Sequence, residues 1–382
     1  MIENIFRLHK PSLFLLVVGL FMAFGVAQSH SAGMQNMSGF SLEIDNKIYT
    51  GWQDVTVSRS MERVNHVYSL TVANSWRTDT HRDIRAGDAI RLLFDDELIS
   101  TGYIDHKAPE YNAKSQFLKI TGRSKTQDLV DSTVVNQSFK EQSLLQIAQQ
   151  ICKPFGIDVV DLADSTQPFL NEQKIDEGQT PFDFLEQMAR VRAVRLMESP
   201  DGKLLLTRAN LAPSTSELVL GNNILKASGK FSYQERFSIH TVLSNQDAGL
   251  FSSPDAAAHP AGIAIDETVR YRPMTVLNDD PADIETCTQR AQWQLRTNLG
   301  RSQQVVYTTV GAKNSDGLVW SPNELVYVDD EYQGISGDRL IVESVLKVDA
   351  NGVRSELMVM PAQAFTLEPL PEPSADASGL FG

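Results

Sequence analysis

Cysteine is scarce in this chain: Cys152 and Cys287 are the only two in 382 residues. A disulfide-built scaffold is therefore excluded, and no Cys-x-x-Cys metal or redox spacing exists. Both thiols fall on the apolar side of a predicted helix, so buried free thiols are expected rather than a bridge. The seven histidines (9, 30, 66, 81, 106, 240 and 259) are scattered, with no His-x-x-x-His. No metal centre or other cofactor is expected. Phosphate loops of the Gly-x-x-x-x-Gly-Lys or Gly-x-Gly-x-x-Gly type are absent, as is the Gly-x-Ser-x-Gly elbow of hydrolases. One Ser-x-x-Lys occurs, Ser344 to Lys347, but it lies in a predicted strand. Positions three apart on a strand face opposite sides, so no nucleophile–base pair forms there. The acidic triplets Asp95-Asp96-Glu97 and Asp329-Asp330-Glu331 lack the glycine and alternate-position pattern of a calcium loop and are expected as solvated turns. Basic runs are missing too. With 34 Lys and Arg against 48 Asp and Glu, the net charge is −14. That balance excludes a general nucleic-acid binder, which needs clustered cations to neutralise phosphates. Paired carboxylates for glycoside cleavage remain open, because their separation exists only in three dimensions. The aromatics, 8% of the chain, sit mostly at alternating strand positions, which suits cores and interfaces better than a sugar groove.

Long hydrophobic runs are also few. The one present is Leu13 to Ala27, 15 residues following Arg7 and Lys10. It is short for a membrane span and has the flanks of a signal peptide. No cysteine follows it, so a lipoprotein anchor is excluded and no stable membrane anchoring is expected. The rival reading is a misassigned start, with Met34 or Met37 opening onto the first strand.

The rest of the chain divides by hydrophobic period. Residues 37–123 carry several short alternating segments with Asp45-Asn46 and Asp95-Asp96 at turns, which argues for a barrel or sandwich. Residues 124–213 change to α+β. "SLLQIAQQICKPFG" is an amphipathic helix with Leu144, Ile147, Ala148, Ile151 and Cys152 on one side, ended by Pro154 and Gly156. Residues 180–208 are a second helix followed by a hairpin. Thr180 caps it, Pro181 takes the first position, Asp183 faces the free amides, and Phe182, Leu185, Met188 and Ala189 form its stripe. Its acids and arginines lie off the stripe, which reads as a solvated face rather than a catalytic cluster. Residues 214–362 return to β, interrupted by a helix over 281–299 that Asp280 caps and Gly300 stops. Its expected stripe is Ile284, Cys287, Ala291, Leu295 and Leu299. The loop 244–268 and the tail 363–382 are expected to be flexible. A weak echo links "GDAIRLLFDD" (87–96) with "PNELVYVDD" (322–330), each followed by a polar turn and a returning apolar strand. Two related barrels would produce it, and so would chance.

Taken in order, "IYTGWQDVTVSRSME", "GDAIRLLFDDELISTGYID", "LKITGRSKTQDLVDSTV", "SLLQIAQQICKPFGIDV", the helix-hairpin, "ELVLGNNIL" and "VRYRPM" resemble one family. It is the baseplate hub proteins of Mu-like contractile-tail phages, the late control protein D class, related to the hub half of type VI secretion spike proteins. The similarity spans about residues 37–362. It implies a mainly β, α+β chain with two tube-like β-barrel domains and an inserted α+β segment. It also implies a homotrimeric ring that joins the hexameric tail tube, or an adaptor, to the trimeric tail spike within the baseplate. Such hubs assemble in the host bacterial cytoplasm without a signal peptide, which makes residues 1–36 a spurious or unused leader. No catalysis and no specific nucleic-acid binding are implied, although DNA passes through the lumen. Trp52, Gly102, Tyr103 and Asp105 are the candidate interface or core positions. The alternatives are a secreted periplasmic wall-binding or wall-hydrolysing protein, resting on the leader, and a type VI spike hub.

Overall fold

The computed structural model describes residues 39–73, 83–113, 115–135, 137–213, 215–244, 261–277 and 284–366. The hydrophobic leader, the helix start at Asp280 and Pro281, most of the loop 244–268 and the tail from 367 lie outside the described residues.

The first β region contains β1 (Phe40–Ile44), β2 (Lys47–Tyr49), β3 (Asp54–Ser60), β4 (Val67–Ala73), β5 (Ala89–Phe94), β6 (Glu97–Tyr111) and β7 (Gln116–Ser124). Its two tight hairpins turn on acidic and amide residues that tolerate the left-handed region. Asp45 and Asn46 have φ of 49° and 62°, Asp95 and Asp96 of 46° and 65°. Positive φ at both central residues is what a right-twisted two-residue hairpin requires. Period-two alternation then buries Val55, Val57, Tyr68, Leu70, Leu118 and Ile120 in one core.

The middle segment runs α1 (Gln127–Asp131), β8 (Ser138–Phe139), α2 (Leu144–Cys152), β9 (Val159–Asp161), β10 (Gln173–Lys174), α3 (Pro181–Val191), β11 (Arg195–Glu198) and β12 (Leu204–Thr207). Ser143 opens α2 with a reciprocal capping box. Its hydroxyl accepts from the Gln146 amide at 3.3 Å, and its own amide donates to Gln146 Oε1 at 3.0 Å. All five residues of the α2 stripe are buried. Thr180 caps α3 through the Asp183 amide at 3.1 Å. The buried face of α3 is turned from the expected one: Phe182 and Met188 are half-buried, while Phe184 stacks on Phe139 with ring centroids 5.8 Å apart. Both thiols are buried and free, and burial pushes Cys152 up to about 12.

The last region holds β13 (Glu217–Val219), β14 (Ile224–Phe231), β15 (Ile239–Leu243), β16 (Ala261–Ile265), β17 (Pro273–Leu277), α4 (Ile284–Arg301), β18 (Gln303–Val310), β19 (Leu325–Asp330), β20 (Ile335–Asp349) and β21 (Gly352–Met360). It is not one continuous β domain. Strands β16-β15-β17 form a separate three-stranded sheet under α4, with its own small core of Val242, Ala264, Cys287 and Ala291. The helix approaches so closely that a Cβ on Gly262 would lie 2.0 Å from the Cys287 carbonyl carbon. Ile284 stays 64% exposed rather than joining the stripe. Gly300 does not stop α4, which runs on through Arg301. Its missing side chain makes room for Ala364, whose Cβ would sit 1.9 Å from an added one.

That contact also moves the tail boundary. Residues Ala362–Phe365 form a 3₁₀ turn whose Ala362, Ala364 and Phe365 are buried with Met61, Leu340 and Met360. The chain at 363–365 is thus packed, because a small-residue turn lets Phe365 reach an existing apolar cluster.

Apart from β15 to β17, the strands of both β regions belong to a single 13-stranded sheet, ordered β14-β18-β21-β20-β3-β4-β7-β6-β5-β1-β2 with β19 and β13 branching from β20. Two separate closed barrels are not seen among the described residues. The junction is antiparallel, Glu343↔Ser60 through Val348↔Val55. The register also resolves the sequence echo. β5, β6 and β7 have 6, 15 and 9 residues, and β19, β20 and β21 have the same lengths. β6 skips Asp105 against β7, and β20 skips Val342 against β21, so both long strands bulge at the same place. A shared bulge and shared lengths make this a structural repeat rather than chance.

Phe365→Ala is expected to cost about 3 kcal/mol, the usual loss for a buried phenyl ring. Urea unfolding checks it.

Candidate functional site

The four candidate residues fall into structural roles. Trp52 is buried in the first core and donates its indole N–H to the Tyr49 carbonyl at 3.0 Å. Gly102 lies where β6 crosses β7, and a Cβ there would be 2.1 Å from the Arg123 carbonyl oxygen. Only glycine allows that approach. The Tyr103 carbonyl accepts from the Tyr68 hydroxyl at 2.6 Å. Asp105 is the bulge residue and binds Arg123 Nε at 2.8 Å, while Arg123 Nη2 reaches Asp131 at 2.7 Å. These two carboxylates, Asp131 first, hold the guanidinium well above its ordinary range. Gly102, Tyr103 and Asp105 share one strand, and Trp52 stands apart from them in the link before β3.

A concavity lies elsewhere, lined by residues of all three regions. It has a volume of about 470 Å³ and is lined by Arg59, His66, Glu198, Thr207, Asn210, Ser321 and Asn323, among others. Glu198 was missed in the sequence although it continues the inward phase of Val194 and Leu196. Buried at the end of β11, it accepts from the hydroxyls of Ser124 and Thr126, the latter at 2.6 Å. Burial raises its carboxyl to about 7 against these hydrogen bonds, which pull it down. His66 donates its backbone amide to Ser124 Oγ at 2.7 Å, and its Nδ1 lies 3.1 Å from Ser100 Oγ. Burial, then the charge of Arg59, lowers His66 to about 3. Burial also lowers Arg59 to about 10, opposed by Glu324 and Glu97. Arg59 donates to the Trp320 carbonyl at 2.5 Å, as does Ser344 Oγ at 2.7 Å.

This arrangement ties separate segments of the one chain together. A histidine held neutral down to about pH 3 is a poor base at neutral pH. The Ser124 hydroxyl is committed to Glu198, and the histidine reaches that serine only through its backbone. No group of three or more His, Cys, Asp or Glu that could hold a metal occurs among the described residues. The second acidic triplet departs from expectation: Asp330 is buried, not solvated, and its Oδ1 accepts the Tyr332 and Gln333 amides at 3.0 and 3.1 Å. It closes a four-residue turn where the first triplet closes a two-residue one.

The two buried titrating groups pull stability in opposite directions. The Glu198 carboxyl is raised from 4.5, so its contribution is full below pH 4.5 and is lost as pH rises through 7, by about 3 kcal/mol. His66 is lowered from 6.5 to about 3, so its contribution is full above pH 6.5 and is lost as pH falls toward 3. Glu198→Gln keeps an acceptor for Ser124 and Thr126 but cannot ionise. Between about pH 4 and about pH 8, the variant is expected to gain about 3 kcal/mol on the parent in chemical denaturation.

Known proteins share this organisation. Residues 39–124 match the family described as Mu phage baseplate assembly protein GpP-like, N-terminal. Residues 126–208 match baseplate hub protein gp44-like, second domain, and residues 284–368 match Mu phage baseplate assembly protein GpP, fourth domain. The baseplate hub protein gp44 of Escherichia phage Mu is 30% identical over 336 residues, covering 85% of this chain and 88% of that protein. The 43 kDa tail protein of prophage MuSo2 from Shewanella oneidensis superposes with a TM-score of 0.78 at 30% identity, covering 86% of this chain and 99% of that one. A tail protein from Neisseria meningitidis MC58 gives 0.74 at 22%, covering 87% and 99%. An E. coli component of the type VI secretion system shares the fold at 0.53 and 10%, covering 87% and 79%. With that identity over that length, this chain belongs to the Mu-type baseplate hub proteins of phage tails.

Proposed function

We propose that three copies of this chain form the ring that joins the hexameric tail tube, directly or through an adaptor, to the trimeric central spike. The observation that carries this reading is the repeat: β3-β4-β7-β6 and β14-β18-β21-β20 are the same four-strand set. Each copy then presents two quasi-equivalent tube-like modules, and three copies present six. Six modules match a sixfold partner on one side, while the unlike parts of each copy keep a threefold face for the spike. The work is geometric and needs no catalysis, in keeping with a junction whose serine and carboxylate are consumed by internal hydrogen bonds. The acidic balance of −14 suits a wall past which DNA slides, because like charge repels phosphates. Assembly in the host cytoplasm, before incorporation into the virion, completes the reading.

Light scattering on the purified chain, alone and with a tail spike protein, tests this. The expected mass is three times 42.4 kDa per copy, with the spike retained on the trimer. A chain that stays monomeric in the presence of that spike would overturn the ring.

A further inference from the structure

The concavity lined by Arg59, His66 and Glu198 shares a wall with the last packed turn of the chain. Met197, Leu205 and Ala209 line it, and the same three belong to the apolar cluster that holds Ala364 and Phe365. The Phe365 ring lies under the Arg195 guanidinium, 5.1 Å from its centroid. Met197 is two residues on along β11, roughly 7 Å away. Thr366, the last described residue, thus leaves the fold beside the concavity. Two cations there lack an acid. Arg59 is 5% exposed and gives one N–H to the Trp320 carbonyl. Glu324 and Glu97 act on it only through space, and it is in no ion pair among the described residues. Arg208 is exposed on the rim, and its guanidinium has no hydrogen bond or ion pair among the described residues. The carboxyl of Glu198 is taken by Ser124 and Thr126. The chain has 48 acids against 34 Lys and Arg, yet two arginines in one concavity are left over. An unpaired buried cation is costly, so they point to an acidic occupant.

Such an occupant is present in the sequence. Residues 367–382, "LEPLPEPSADASGLFG", contain Glu368, Glu372 and Asp376 and no Lys, Arg or His. Leu367 and Leu370 are the apolar residues that follow Thr366 most closely. Pro369, Pro371 and Pro373 restrict the backbone and leave less freedom to lose on docking. They also remove amide hydrogens, so the segment suits a side-chain groove better than a strand ladder. At three residues per turn, the period of proline-rich segments, Leu367 and Leu370 share one edge while Glu368 and Glu372 lie off it. We infer that residues 367–372 seat in this concavity of their own chain, with both leucines on the Met197–Leu205–Ala209 wall, Glu368 at Arg208 and Glu372 at Arg59. Arg208 adjoins Ala209 on the shared wall, so the first acid meets it. Four residues on, at about 3.1 Å each, Glu372 reaches about 12 Å further along. The seat covers Glu198 and His66 from water, which strengthens the hydrogen bonds that hold the middle segment. It is made within one chain and does not depend on the number of copies in the ring.

The test is a double variant of the full chain, Ala209→Cys with Leu370→Cys, oxidised, digested and read by mass spectrometry. The native thiols are buried, so the new pair oxidises alone. The expected result is a 209–370 link within one chain. The control is Tyr332→Cys with Leu370→Cys. Position 332 is 87% exposed and outside the concavity, and this pair is expected to stay reduced. Charge dependence separates a seat from chance collision. Adding Arg208→Glu to the 209–370 pair is expected to slow linking about fivefold, and adding Glu368→Arg to that variant is expected to restore it. Arg208 is exposed, so its reversal leaves the fold intact. No link, or a link as abundant in the control, overturns the seat. A link between copies assigns the segment to a neighbour and overturns the own-chain seat. A link indifferent to both reversals overturns the match of acid to arginine on which the seat rests. None of these outcomes touches the ring reading, which light scattering decides separately.

Discussion

The ladder between β3 and β20 is the contact on which the rest of this chain depends. It joins two strand sets far apart in sequence into one sheet and so sets the angle between the two modules. Two kinds of force act there. Sinking Leu346 and Val348 into the first core is worth about 1.5–3 kcal/mol per side chain. Each backbone hydrogen bond nets only about 0.5–1.5 kcal/mol against water. Burial therefore selects the edge, and hydrogen bonding selects the register. Polar side chains lock the same seam: Ser58 donates to Glu343 Oε1 at 2.7 Å, and Arg63 Nη2 meets that oxygen at 2.6 Å. A slip of one residue would turn Leu346 outward and strand that carboxylate.

The buried polar cluster beside the seam does a different job. Arg59 and His66 come from the first β region and Glu198 from the middle segment, and each would be cheaper to bury as an apolar residue. Their hydrogen bonds are directional, so they reject arrangements that an apolar contact would tolerate. Arg59 and Ser344 converge on one carbonyl, that of Trp320. Glu198 binds Ser124 and Thr126 at the point where β7 hands the chain to the middle segment. Glu198 thus ties the end of β7 to the α+β segment, beside an apolar contact in which Met197 is buried with Met61, Leu325 and Leu340. An electroneutral histidine and a carboxyl titrating near 7 are the electrostatic cost of that specificity.

Local features of this fold were legible in the sequence, and long-range ones were not. The Ser143 and Thr180 caps, the five-residue stripe of α2 and the hairpins at Asp45-Asn46 and Asp95-Asp96 depend on residues within four positions of each other. The failures share one cause. Gly300 looks like a helix stop until Ala364 is placed against it. Asp330 looks solvated until its turn folds over it. Ile284 sits on the expected stripe, but the small sheet β16-β15-β17 meets the helix on the Cys287–Ala291 side. Glu198 was legible by phase, since it continues the inward alternation of Val194 and Leu196. The joining of two β regions into one sheet lay beyond reach, since nothing in the alternation of β3 or β20 names its partner.

The two modules agree where strands pair and differ where strands connect, and that division bears on symmetry. At the link after the first strand of each set, β3 returns to β4 within residues 61–66, whereas β14 reaches β18 only after residues 232–302, which hold β15 to β17 and α4. After the last strand, β7 leads into the whole middle segment, whereas β21 leads into the 3₁₀ turn at Ala362–Phe365. Insertions are tolerated in such connections because they leave the ladder hydrogen bonds untouched. On the proposed reading, the ladders common to both modules supply the sixfold-like wall, for which the two modules must be interchangeable. The unequal connections stand once per chain, so they can meet only a partner that repeats three times. A duplicated sheet with unduplicated insertions is then the least structure that faces six subunits on one side and three on the other.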